Sequence, residues 1–183
     1  MKVWKVVAFP SFDFNDINPA TQRDWSATYF QFTVEHALRY ATDKCPTNPE
    51  GIISLVEFET SPHLVVHKLN DKLFGSALLS GQEKASLAKR MLNFPPEVLL
   101  MQHLDGALIL RENEEGNDEF IMSHAAVSPR NITPRTLAQF KIHDHVITHW
   151  RKQEASDWVA LDAVERLSPH LLAKKLHLES KEM

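Results

Sequence analysis

What most constrains folding is a series of short runs, rich in β-branched and aromatic residues, each closed by Pro, Gly or a polar cluster. KVWKVVAF, residues 2–9, stops at Pro10 and reads as a strand. GIISLVEFE (51–59) is nearly continuous in its apolar residues and reads as a second, and HLVVHKL (63–69) as a third. DGALILREN (105–113) and EFIMSHAAV (119–127) form a further pair, joined by a polar connection in which Gly116 supplies turn freedom.

Helical signals fall between and after these runs. Thr33 can cap a helix whose apolar residues, Val34, Ala37, Leu38 and Ala41, recur at helical spacing. DKCPTNPEG breaks it. Leu78 to Asn93 reads as helical and is stopped by Pro95 and Pro96, and Glu97 to His103 as a further short helix. From Pro134 onward the chain shows helical periodicity, interrupted near Ser156 and Pro169, and no strand pattern returns. The expected fold class is α+β: a body at 1–133 followed by a helical C-terminal extension at 134–183, packed on the same domain.

Composition narrows the function. A formal charge of −4 and a pI near 6.2 exclude a basic field for nucleic acid or an anionic membrane. No apolar run is long enough to span a bilayer, so no membrane partner is expected. Lys5 interrupts the first apolar stretch, and no signal-peptide cleavage pattern follows it. Cys45 is the sole cysteine, which forbids an internal disulfide. The expected location is cytoplasmic, reached either directly or by delivery into a host or target-cell cytosol.

The five glycines form neither a phosphate loop nor a dinucleotide fingerprint, and there is no nucleophile elbow. Of the ten histidines, His143, His145 and His149 cluster. On a helix their offsets do not converge, although His145 and His149 share a face. His63 and His67 face one side of a strand but lack a third ligand. No metal is expected.

Three separated segments fit together better: VWKVV, ATYFQFTVEHALRYA and LDGALILRENEEGNDEFIMSHAAVSPRNI. In order and approximate spacing they resemble the three conserved segments of the ADP-ribosyltransferase superfamily, in its diphtheria-toxin and poly(ADP-ribose) polymerase branch. The resemblance covers about the first two thirds of the chain. It implies a split, mostly antiparallel sheet around an NAD cleft. It also implies an enzyme, a glycosyltransferase that moves mono-ADP-ribose from NAD to a protein or nucleic-acid acceptor. A bacterial toxin or effector, with a cognate antitoxin or immunity partner, suits such a chain by analogy. An NAD glycohydrolase on the same fold, or a binding protein that has lost the chemistry, are the alternatives.

The resemblance also assigns residues. Glu119 heads the third segment and would stabilise positive charge on the ribose as nicotinamide leaves. Tyr29 would stack on the flat nicotinamide ring, and Phe30 would point to the opposite face of its strand. Trp4 and Lys5 match the aromatic and the polar residue of the first segment, where Lys5 would hold ribose or phosphate. The family carries His or Arg at that position, and lysine offers a different donor geometry. Gln31 and Thr33 would shape the nicotinamide end. Asn117, two residues before Glu119, stands where many members carry Gln or Glu.

Overall fold

The structure, a computed structural model, describes residues 1–16, 27–64, 66–68, 107–110, 119–123 and 126–180. In chain order the elements are β1 (Lys2–Val7), β2 (Ala27–Gln31), α1 (Val34–Arg39), β3 (Ile52–Thr60), β4 (Val66–Lys68), β5 (Ala107–Leu110), β6 (Glu119–Ser123), β7 (Ile132–His143), β8 (Val146–Lys152), β9 (Val159–Ala160) and α2 (Pro169–Ser180). The fold is α+β, as expected. It divides into two compact units: residues 1–13, 31–59 and 133–183 form the first, and residues 14–30 and 60–132 the second.

In unit 1 the strands lie in the order β1-β3-β7-β8-β9. β1 runs antiparallel to β3, with Lys5 opposite Val56. Hydrogen bonds from Ile142 to Gly51 (2.8 Å) and from Ser61 to Asn131 (2.7 Å) fix β3 and β7 as antiparallel too. Alternation along the strands sends Val6, Ile53, Leu55, Ala138, Phe140 and Ile142 into one core, against Ala37 and Leu38 of α1 and Leu172 and Ala173 of α2. Full burial of side chains such as Leu55 and Phe140 contributes roughly 1.5–3 kcal/mol each. α1 begins where expected: the Thr33 hydroxyl accepts the His36 N–H at 3.1 Å.

The segment after β1 is fastened to β3 and β7. The Pro10 carbonyl accepts Ser54 Oγ and Gln139 Nε2, both at 2.6 Å. Phe12 meets the buried Phe58 edge-on, with ring centroids 4.9 Å apart. Glu57, also buried, is held by Arg135 at 3.0 Å and Lys2 at 3.4 Å.

The helical extension at 134–183 requires correction. Residues Pro134 to His143 continue β7, which forms a hairpin with β8, and helix appears only at α2 after a short 3-10 turn at Glu165–Leu167. The turn places Asp144 and His145 at φ 47° and 63°, the left-handed pair that matches the twist of a two-residue hairpin. Strand is favoured here because Ala138, Phe140 and Ile142 alternate with polar residues at period two and bury together. A bulge makes β8 look aperiodic. Ile142 pairs with Ile147 and Lys141 with His149, which leaves Thr148 as an extra residue between them. Ile147 and Trp150 therefore both reach the core despite their odd separation.

In unit 2 the order is β4-β5-β6-β2. β4 and β5 are parallel, whereas β5 and β6 are antiparallel, with Glu119 opposite Leu110. Phe30 and Phe120 are fully buried, with ring centroids 6.0 Å apart. The helices expected at 78–93 and 97–103, and the turn at Gly116, lie outside the described residues.

Candidate active site

Glu119 and Tyr29 stand on neighbouring strands of unit 2, β6 and β2. Glu119 opens β6 and is only 7% exposed. A carboxylate is among the residues least often buried in this way without a reason, because taking it out of water is costly. Tyr29 is half-buried while Phe30, beside it, is fully buried. Alternation explains the contrast: successive side chains leave opposite faces of the strand, and Phe30 takes the core face.

Lys5 and Trp4 belong to unit 1. Lys5 is half-buried on β1. Trp4 is half-buried as well, packs against the unit 1 core, and is opposite both Glu57 and Gln31. Gln31 is buried at the end of β2. Thr33 is committed to capping α1, so its hydroxyl already has a structural task. Asn117 lies outside the described residues. Unit 2 thus brings Tyr29 and Glu119 to adjacent strands, while Lys5, Trp4, Gln31 and Thr33 group in unit 1.

Cys45 is exposed and free, as its lack of a partner cysteine requires. The clustered histidines do not share a helix: His143 ends β7, His145 is in the turn and His149 is in β8. Among the described residues no group of three potential ligands converges on a metal position. Nor is any described helix long and apolar enough to cross a membrane.

One concave feature has no counterpart in the sequence reading. A cleft of about 500 Å³ opens in unit 1 between the loop Lys44–Gly51 and the hairpin end Ile142–His145. Its two walls are nearly a hundred residues apart along the chain, so no local pattern announces it. No protein-family model matches the chain, and no curated protein is significantly similar to it.

Proposed function

We propose that the protein is an NAD-dependent ADP-ribosyltransferase that transfers mono-ADP-ribose to a macromolecular acceptor. The observation that carries this reading is the pairing of a buried carboxylate, Glu119, with a half-buried tyrosine, Tyr29, on adjacent strands. The resemblance singles out both residues, from segments about 90 residues apart.

The donor set fits the substrate chemically. NAD supplies an ADP-ribosyl group whose bond to nicotinamide breaks with the electron pair leaving on nicotinamide, while an acceptor atom bonds to the same carbon and gives up its proton. Glu119 would lower the barrier by opposing the positive charge that develops on the ribose. Burial strengthens that effect, since little water screens the carboxylate. Tyr29 would hold the flat leaving group by its ring face. Lys5 enters by resemblance alone, as a cation for ribose or phosphate. A bacterial toxin or effector role rests on the same resemblance.

The test is nicotinamide release from NAD by the full chain, measured beside Glu119→Gln. Release that vanishes in a variant of unchanged melting temperature supports the assignment. Release of equal rate in both proteins overturns the role of Glu119. A wild-type protein that neither releases nicotinamide nor melts higher in NAD overturns the reading itself, since a ligand of the native state must raise the melting temperature. Release without a labelled acceptor would instead identify a glycohydrolase.

A further inference from the structure

The cleft in unit 1 carries chemistry that the proposed transferase does not use. Lys44, Cys45 and Glu50 line one wall, and His143, Asp144 and His145 the other. Both walls are held in place. Asn48 hooks Ile52 through two hydrogen bonds, donating to its carbonyl at 2.7 Å and accepting from its N–H at 2.9 Å. Gly51, at φ 69°, passes so close to the opposite strand that a Cβ would meet the Ile142 carbonyl oxygen at 2.7 Å. His145 Nδ1 lies 2.8 Å from the Thr42 carbonyl, which fixes Nδ1 as the protonated nitrogen of the neutral ring.

Lys44 differs from Lys2, Lys141 and Lys175 of this unit in lacking a partner among the described residues, and from the equally unpartnered Lys174 in being half-buried rather than exposed. Lys2 and Lys175 pair with Glu57 and Glu165, and Lys141 lies over the Trp158 ring. Lys44 is half-buried, and its side chain makes no ion pair or hydrogen bond to the described residues. From these features we infer that Lys44 is a nucleophilic amine and that the cleft captures small, uncharged aldehydes as imines.

The chemistry balances without a further reactant. The unprotonated amine attacks the carbonyl carbon, a C–N bond forms, and the carbonyl oxygen takes up the amine's proton. Loss of water from this carbinolamine gives the imine. Burial pushes the Lys44 pKa down, against an opposing pull from Asp43, so more of the amine is unprotonated at neutral pH than in an exposed lysine. Cys45, Glu50, His143, Asp144 and His145 are the other titratable groups lining the cleft. Their charge selects the ligand class. Once Lys44 is neutral, Glu50 and Asp144 leave the cleft negative, and an anionic aldehyde is repelled.

The full chain is treated with glycolaldehyde and cyanoborohydride at neutral pH, and modified lysines are quantified by peptide mass spectrometry. Lys174, which is exposed on α2, is the internal reference. Lys44 is expected to react several-fold faster than Lys174 at neutral pH. Equal or slower reaction at Lys44 overturns the inference. Glyoxylate, an anionic aldehyde, is expected to show a smaller Lys44 lead, and a larger one overturns the ligand class.

Discussion

The two units treat buried polarity differently. In unit 1 nearly every buried polar side chain outside the helix acts as a fastener: Ser54 and Gln139 share the Pro10 carbonyl, and Glu57 is held by Arg135 and Lys2. Unit 2 buries Glu119 at the head of a strand, and its Thr28 hydroxyl, like the Trp4 and Trp150 indole N–H groups of unit 1, meets no hydrogen-bond partner among the described residues. Fastened polar groups add rigidity for little net cost. On the proposed function, unit 1 is scaffold and unit 2 carries the reactive group.

Substitutions can break this contrast. Phe140→Ala, at the centre of the unit 1 core, should lose about 3–5 kcal/mol of unfolding free energy in a urea titration. A loss below about 1 kcal/mol would mean that the core is not the scaffold described. Glu119→Gln should behave oppositely: nicotinamide release falls about 10²- to 10³-fold while stability holds or rises. If that variant unfolds instead, Glu119 serves stability and the contrast disappears. Gly51→Ala should cost about 1–3 kcal/mol, because the left-handed backbone and the Ile142 carbonyl both oppose a Cβ. Thr33→Ala should cost about 1 kcal/mol through the lost cap, read as a shift in melting temperature.

A pH titration gives the smallest effect. With its folded pKa below the ordinary 10.5, Lys44 binds its proton more weakly in the native state than in the unfolded chain. The unfolded chain then holds more protons, so stability should rise slightly with pH between the depressed value and 10.5. Lys44→Met should flatten that slope and leave neutral-pH stability unchanged or slightly higher. An unchanged slope would show that other groups dominate it.

Much of the architecture was legible locally. β1, β3, β5 and β6 match their apolar runs, and Thr33 starts α1 as its side chain predicts. Tyr29 and Phe30 were separable because strand alternation is a local rule. The β7–β8 hairpin was not legible. Its turn is Asp-His rather than Asn-Gly or Asp-Gly, and its bulge breaks the two-residue period that would have identified β8. The Lys44 cleft failed to appear for a different reason. It depends on the contact of Gly51 with Ile142, and a single sequence carries no mark of such distant pairs.

The bulge also sets how this hairpin tolerates changes in length. Thr148 is a spare residue: removing it would leave Ile147 opposite Ile142 and Trp150 opposite Phe140, with a regular ladder between. Removing one residue from the middle of β7 would instead exchange the two faces and export Phe140 or Ile142 to the opposite side. The spare residue is not idle, since its carbonyl accepts the Leu161 N–H at 3.0 Å and ties down the chain just after β9. A deletion at Thr148 should therefore preserve the hairpin and loosen the chain around Leu161, which makes this a position where the sheet can be shortened without being turned inside out.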